Sequence, residues 1–352
     1  MNQMQILKHT SNFQYSSELH GVAFAIFLLV FFLLPFSVTI GQMNALTGLE
    51  AKSYSVQWIG EFPSKDNKQN KAFKEKMAGI ILGKKKVEIS KPLSISGTDP
   101  NNFWILDQGT GMIIRNSEGT SEVPLALRKE NKIYPSLAGI CAIPGERLLF
   151  TDSRLNQIFV LSKDGKNLKK LNDSLKLNQP TGIAWSAVNK EIWVVETHSH
   201  RITVLNQKGE LIRNIGKRGN GPGEFNYPTF IWIDSSGNVY IVDSMNFRVQ
   251  IFNNNGEFIS EFGEIGDASG YFARPKGVAT DSYGHIYVAD ALYHVVQIYD
   301  REGNFLHYFG SQGHGKEQFW MPGGIFIDEN DYIYVADTYN SRIQIFQLVK
   351  KH

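Results

Sequence analysis

A repeat of about 47 residues predicts an all-β fold, a six-bladed β-propeller. Each copy opens at a proline and contains four short apolar runs. The copies begin near residues 92, 135, 180, 228, 275 and 322. The runs are rich in β-branched and aromatic residues, and turns such as Ser-Gly-Asn at 236–238 separate them. Four strands in each repeat unit are typical of a propeller blade.

Within each copy the four strands follow in a fixed order. The first carries one aliphatic position that recurs in all six copies: Ile95, Ile140, Ile183, Ile231, Val278 and Ile325. The second alternates, as in VYIV at 239–242, and ends at an acid. The third reads RVQIF, VVQIY or RIQIF, and the fourth reads FISEF or FLHYF before a glycine.

The sixth copy stops after its third strand, at Phe346. Residues 55–62, SVQWIGEF, align with the fourth strands of other copies. An open blade would leave unpaired backbone groups at its edge, so we expect strand 54–62 to close the ring beside the C-terminal strands. The predicted propeller therefore spans 54–346, and 347–352 form a C-terminal tail.

Residues 63–91 form a lysine-rich insertion between that strand and the first blade. Phe73, Met77, Ile80 and Ile81 have helical spacing, and Gly83 is a suitable stop. We expect a short amphipathic helix that packs on the propeller with solvated lysines. The alternative is a docking site for an acidic partner or a membrane surface.

An uncharged apolar segment, residues 21–40, follows an N-terminal tail of residues 1–20 and precedes a linker at 41–53. Twenty helical residues span about 30 Å, the thickness of a bilayer core. We interpret the segment as a membrane anchor, and a signal peptide cut near Ala45 is the alternative. We expect the propeller on the extracytoplasmic side, either membrane-anchored or secreted after signal cleavage, although the lysines after the segment would favour the opposite orientation.

Composition excludes some functions and leaves others open. The formal net charge of +2 gives no reason to expect nucleic-acid binding. Cys141 is the single cysteine, so no intrachain disulfide or Cys-based metal site can form. The chain has no Ser/His/Asp order, P-loop, dinucleotide fingerprint or haem-attachment motif.

The repeat units resemble NHL repeats. The resemblance rests on blocks such as NVYIVDSMNFRVQIF and YIYVADTYNSRIQIF and on linkers such as FGEIGDASGYFARP. The resemblance is strongest over 180–346. The arrangement of closing strand, lysine-rich insertion and blades is similar to that of exported bacterial six-bladed NHL propellers. The resemblance implies binding of proteins, RNA or glycans on a ring face. It also implies an accessory role in an assembly with multihaem cytochromes.

An acid recurs at the end of every second strand. The six are Asp107, Asp152, Glu196, Asp243, Asp290 and Asp337. An acid there can accept backbone N–H bonds and hold the turn to the third strand, so we interpret all six as structural. The alternative is a carboxylate ring at one mouth of the channel that binds a cation. Arg201, Arg248 and Arg342 follow five residues later, and we expect them to pair with acids or carbonyls on the blade surface.

His200 and His294 both lie four residues after the acid, where NHL repeats commonly carry histidine. The amidating lyases with NHL-type propellers hold zinc with three histidines. Here His198 shares the turn of His200 and His285 lies on another turn, so we cannot place such a triad. We expect no metal, no other cofactor and no catalytic residues.

The first strands should line the channel, and one of their positions carries Ser96, Cys141, Ala184, Trp232, Ala279 or Phe326. Phe230, Trp232 and Phe326 could fill the space between blades, plug the channel or floor a pocket. Residues on turns are the candidates for a partner surface. These are Arg154, His198, Met245, Tyr271, Tyr293, Trp320 and Tyr339.

The function that we predict is non-catalytic binding of a protein, or of another ligand, on a ring face. The alternatives are a metal-dependent propeller enzyme of lyase or lactonase type and an accessory protein of an extracytoplasmic cytochrome assembly. The sequence does not distinguish the two faces and does not indicate an oligomeric state.

Overall fold

The computed structural model describes residues 54–64, 88–118, 120–124, 127, 134–145, 147–162, 164–171 and 173–350. The predicted tail, apolar segment and linker, 1–53, lie outside these residues, as do most of the lysine-rich insertion and 351–352. No helix within the described ranges is both long and apolar enough to span a bilayer. Residues Ser53–His352 form one compact unit.

Six sheets of four strands confirm the predicted fold class. Blades one to three consist of β2 (Pro92–Asp99), β3 (Asn102–Asp107), β4 (Met112–Ser117), β5 (Thr120–Glu122), β6 (Leu137–Ile143), β7 (Arg147–Asp152), β8 (Gln157–Ser162), β9 (Leu168–Lys170), β10 (Pro180–Ser186), β11 (Glu191–Glu196), β12 (Arg201–Leu205) and β13 (Leu211–Ile215). Blades four to six consist of β14 (Pro228–Ile233), β15 (Val239–Asp243), β16 (Arg248–Phe252), β17 (Phe258–Phe262), β18 (Pro275–Thr280), β19 (Ile286–Asp290), β20 (Val295–Tyr299), β21 (Phe305–Phe309), β22 (Ile325–Ile327), β23 (Tyr332–Asp337), β24 (Arg342–Lys350) and β1 (Tyr54–Phe62).

Burial within each blade explains the strand sequences. The second and third strands of blade four, β15 and β16, are buried along their whole length, including the polar residues Asp243, Arg248 and Gln250. Fourth strands such as β13 are mostly exposed and carry polar residues between apolar ones. The core is thus divided into apolar layers where the sheets of neighbouring blades face each other, for example between blades three and four.

Blade six combines strands from both ends of the described chain. β1 pairs antiparallel with β24 from Tyr54↔Lys350 to Phe62↔Ile343, with a register shift between Trp58 and Gly60. The Trp58 indole N–H donates to the Gln344 side-chain oxygen at 3.1 Å. The pairing supplies hydrogen-bond partners for the edge of β24.

The loops that lead into blades four, five and six each bury one phenylalanine. Phe225, Phe272 and Phe319 are fully buried. A glycine nine residues earlier makes room for each ring. At Gly216, where φ is 84°, an added Cβ would lie 2.3 Å from the Phe225 ring. The Gly-rich linkers of the sequence are therefore required by this packing as well as by backbone conformation.

Candidate functional site

Strand register defines two faces of the ring. In blade four, Pro228 pairs with Asp243 at one end of the sheet and Ile233 pairs with Val239 at the other. The repeat prolines and the turns between second and third strands therefore lie on one face, which we call the proline face. The turns between first and second strands lie on the opposite face, which we call the groove face.

The six repeat acids are fully buried on the proline face. Asp290 accepts backbone N–H bonds from Ala273 and Arg274, which precede its blade, and from Leu292 and Tyr293 in its own turn. Asp107 and Asp152 likewise accept backbone N–H bonds from the preceding loop and from their own turn. These three acids thus tie the loop entering a blade to the turn between its second and third strands.

Two of the repeat arginines are buried, which differs from the expected surface position. Arg248 donates to Asp243 at 2.9 Å and to Glu261 at 2.8 Å, and its other N–H groups bond loop carbonyls. Arg342 forms the equivalent network in blade six. Arg201 pairs with Glu196 at 2.8 Å, with its side chain 35% exposed. The first two arginines hold the Gly-rich loops and leave few donors for a ligand.

Tyr293 substitutes for an asparagine that binds the loop elsewhere. Asn246 and Asn340 donate to Gly219 O and Gly313 O at 2.9 and 2.8 Å. The Tyr293 hydroxyl donates to Gly266 O, the corresponding carbonyl of blade five. This half-buried ring thus contributes to holding the loop.

The two repeat histidines have one structural partner each. His200 Nδ1 accepts the Tyr227 N–H at 3.1 Å, and His294 Nδ1 accepts the Met321 N–H at 3.0 Å. Both have positive φ, 52° and 59°. Asn156 occupies the equivalent position of blade two, and its side-chain oxygen accepts the Gln179 N–H at 2.8 Å. In each case a turn of one blade bonds the residue before the next repeat proline.

We expect His200→Asn to remove a pH dependence of stability at little cost. Burial, aided by the positive charge of Arg218, lowers the pKa of His200. Stability from this group is therefore complete above its unfolded-state pKa of about 6.5 and declines as pH falls below it, because the unfolded chain takes up the proton first. Urea unfolding at pH 8 and pH 5 should show a smaller acid-induced loss in His200→Asn than in the unsubstituted protein.

The matched variant is His200→Ala, which cannot accept the Tyr227 N–H. It should lose about 1–3 kcal/mol at pH 8, because it removes both the buried imidazole and the acceptor of the Tyr227 N–H. Asparagine should lose less than about 1 kcal/mol, because Asn156 makes the same bond at the same backbone conformation. Equal losses in both variants would contradict the role given to Nδ1.

The other predicted partner residues all lie on the proline face and are spread around it. Arg154, His198, Met245 and Tyr339 are exposed at the tips of four different turns. Tyr271 and Trp320 are half-buried in loops, where Trp320 stacks on His314 at 4.9 Å between ring centroids. The structure therefore does not gather these residues into one pocket.

A groove of about 640 Å³ opens on the groove face. Its outer part lies between blades four and five, where Ile251, Ile259 and Arg301 line it. Its inner part reaches the channel, where blades one and six supply Thr98, Phe326, Asp328 and Glu329. Volumes of this order are typical of ligand sites.

Two of the three predicted channel aromatics form the inner end of this groove. Trp232 and Phe326 meet edge to face with ring centroids 5.7 Å apart. They come from blades four and six and meet because blade five places only Ala279 at this level. The Trp232 indole N–H donates to the Thr280 hydroxyl at 2.9 Å. Phe230 lies against Gly324 and is not part of the groove wall.

A second set of repeat acids lines the groove and was not singled out from the sequence. Asp234, Asp281 and Asp328 open the turns between first and second strands, at steps of 47 residues. Each accepts backbone N–H bonds within its turn and the hydroxyl of a buried tyrosine on the second strand. The shared 47-residue step was the signal that could have identified them.

Charge at the inner end of the groove is negative. Burial raises the pKa of Asp328, and the negative charge of Asp99 adds to this rise. Glu329 is exposed beside it. A cation placed here would relieve the repulsion and could also contact the aromatic pair.

Neither metal ligation nor thiol chemistry is evident in the described part of the chain. No three His, Cys, Asp or Glu side chains come together there in a way that could hold a metal ion. Burial raises the pKa of the Cys141 thiol to about 12, so it stays protonated near neutral pH.

Comparison with known proteins gives a family match that covers part of the chain. A family model described as "6-bladed beta-propeller" matches residues 170–262 and 277–351, together a little under half of the chain. No curated protein matches. The narrower resemblance to NHL repeats remains a prediction.

Several solved structures share the fold at low identity. An auxiliary nutrient binding protein from Bacteroides thetaiotaomicron has a TM-score of 0.59 at 13% identity, covering 74% of this chain and 70% of that one. A structural genomics protein of unknown function from the same organism has a TM-score of 0.58 at 14% identity, covering 75% and 71%. Virginiamycin B lyase from Staphylococcus aureus has a TM-score of 0.54 at 17% identity, covering 75% and 98%. The chain is therefore a six-bladed β-propeller, similar in fold to binding proteins and to an enzyme alike.

Proposed function

We propose that this protein is a non-catalytic binding propeller that holds a basic peptide segment of a protein partner in the groove. The observation that carries the proposal is the groove itself, which joins an apolar outer part to an aromatic and acidic inner end at the channel. This concentrates three kinds of contact in one concave site, whereas the predicted partner residues of the proline face lie on separate turns.

The charges that line the groove favour a basic peptide over an acidic one. The inner end carries Asp328 and Glu329 with Asp99 close by, and Arg301 lies at the outer part of the groove. A lysine or arginine side chain at the inner end would meet carboxylates and the Trp232–Phe326 pair together. The outer apolar wall at Ile251 and Ile259 suits an apolar side chain of an extended peptide.

The extracytoplasmic, membrane-anchored location belongs to the same proposal and rests on residues 21–40 of the sequence. The nutrient binding protein of similar fold is consistent with a binding role, but at its identity the likeness concerns fold alone. A cytochrome-associated role stays an alternative that rests on the family resemblance. Stoichiometric zinc or calcium in the purified protein would favour the metal-dependent enzyme.

The test measures binding of two labelled octapeptides, alternating Lys-Tyr and alternating Glu-Tyr, to the full-length protein by fluorescence anisotropy. We expect the Lys-Tyr peptide to bind more tightly. Trp232→Ala should weaken it by about 30-fold, as for a central aromatic contact of about 2 kcal/mol. Glu329→Lys, an exposed position where the fold is not at risk, should weaken it through charge reversal alone.

Tyr339→Ala is the matched control, because this aromatic is 53% exposed on the proline face. It should leave affinity unchanged. Weaker binding in Tyr339→Ala with unchanged binding in Trp232→Ala would move the site to the proline face and refute the proposal. Tighter binding of the Glu-Tyr peptide would refute the assigned charge.

A further inference from the structure

Lys276 stands at a position of the proline-face end of the channel where blades three and four each carry a threonine. It is the second residue of β18, and Thr181 and Thr229 stand at the same register position in blades three and four. There the threonine hydroxyls bond Thr197 and Ser244 at 2.7 and 2.6 Å. Blade five offers no such hydroxyl, because the residue after its repeat acid is Ala291.

Among the residues that the structure describes, no anion or hydrogen-bond acceptor is paired with the Lys276 ammonium. The side chain is half-buried, and within the described ranges it makes no hydrogen bond or ion pair. Burial lowers the pKa of Lys276, and the nearby positive charge of Arg274 lowers it further. A partly desolvated cation without an anion is unfavourable, so a structural role alone does not explain a lysine here.

The surroundings favour an anion over a cation. Lys91 and Arg274 directly precede repeat prolines of this face, and both are exposed. The repeat acids are fully buried and are engaged by backbone N–H groups and arginines, so their carboxylates are not presented to the channel. The carboxylates of Asp328 and Glu329 belong to the opposite end, on the groove face.

A pair of hydroxyl groups at the proline-face end of blade four could donate a hydrogen bond to an anion bound by Lys276. In the Thr229–Ser244 pair one hydroxyl donates to the other, which leaves the acceptor free to donate its own proton. Thr229 on β14 and Lys276 on β18 lie on first strands that contact each other, and Ser244 belongs to the turn that follows β15. An ammonium beside a hydroxyl donor is a common arrangement for a carboxylate or phosphate oxygen.

We propose that Lys276 is the centre of a second binding site, which takes a carboxylate or phosphate group at the proline-face end of the channel. The site is separate from the groove and does not depend on the peptide-binding proposal. Two ligand sources share this chemistry, a small organic acid or a phosphorylated group, and the test distinguishes them.

The test titrates full-length protein with inorganic phosphate and, separately, with succinate, by isothermal calorimetry at constant ionic strength. We expect saturable binding of at least one of them with one site per chain. The double variant Lys276→Thr/Ala291→Ser restores the Thr–Ser pair of blade four, so it should fold normally. It should lose at least tenfold in affinity. Lys208→Thr, at an exposed lysine of another turn, should bind like the unsubstituted protein.

Binding of phosphate alone would identify a phosphorylated ligand, and binding of succinate alone would identify a carboxylate. Both outcomes support the site if the double variant loses the binding. Equal affinity in the unsubstituted protein and in the double variant would overturn the proposal, as would saturable binding of neither anion. Trp232→Ala should leave anion binding intact, so failure of one proposal is distinguishable from failure of the other.

Discussion

Replacing Arg342 by methionine is expected to lower the free energy of unfolding by about 3–5 kcal/mol. The Arg342 side chain is only 4% exposed, and its guanidinium donates to Asp337 at 2.7 Å and to Glu61 at 2.6 Å. It also donates to the carbonyls of Gly315 and Gln318. Methionine would fill much of the volume but would leave the fully buried Asp337 without its ion-pair partner.

The loss should be large because this network joins segments that are far apart in sequence. Arg342 begins β24, Glu61 belongs to β1, and the two carbonyls belong to the loop before blade six. Removing the guanidinium therefore weakens the attachment of β1 as well as the loop. The local cost of an unpaired carboxylate and the loss of this cross-link act in the same direction.

Urea unfolding followed by circular dichroism measures the effect. Arg154→Met is the matched control, because Arg154 is exposed at a turn tip, and it should change the free energy of unfolding by no more than about 0.5 kcal/mol. A loss below about 1 kcal/mol in Arg342→Met would mean that the pair behaves like a solvent-exposed one.

The number of blades could be predicted from the repeat. The burial of the arginines could not, because it depends on the conformation of the loops around them. The step of 47 residues between repeat prolines is a property of the chain alone. The burial of Arg248 comes from Asn220, Gly221 and Glu224, whose carbonyls surround it from a Gly-rich loop. Arginine is mostly exposed in folded proteins, so the surface position was the reasonable expectation from sequence.

The site was predicted in part, and the missing part required knowledge of which blades face each other. Trp232 and Phe326 were identified because they replace small residues at a channel position. Their contact depends on Ala279 of the blade between them, which sequence spacing does not place in three dimensions. Asp234 and its sister acids were overlooked because an aspartate that opens a turn has an ordinary structural explanation.

Tyr293 was predicted as a partner residue, and the structure gives it a role within the fold. Two sister turns have asparagine at its position, and as a residue on a turn it was predicted to belong to a partner surface. The structure places its hydroxyl on the loop carbonyl that asparagine binds in the other blades. A substitution that departs from the repeat can thus preserve the bond while it changes the residue type.

Alanine at Gly277 is expected to lower the free energy of unfolding by about 3 kcal/mol, the upper part of the usual range for overpacking. An added Cβ would lie 2.7 Å from the Ile325 nitrogen and 2.9 Å from the Gly324 Cα, both on the neighbouring blade. These atoms are backbone, so no side-chain rotation can relieve the clash. Either β18 or the first strand of blade six must shift.

Ser94→Ala provides the control for this glycine. Ser94 stands at the equivalent position of blade one and already carries a Cβ, so alanine there should cost less than about 1 kcal/mol. Both variants are measured by urea unfolding and by Lys-Tyr peptide binding. Because Phe326 follows Ile325 on β22, a shift of that strand should weaken peptide binding in Gly277→Ala and leave it intact in Ser94→Ala. Unchanged stability in Gly277→Ala would show that neighbouring first strands can separate freely, and the channel would then not hold Trp232 and Phe326 at a fixed distance.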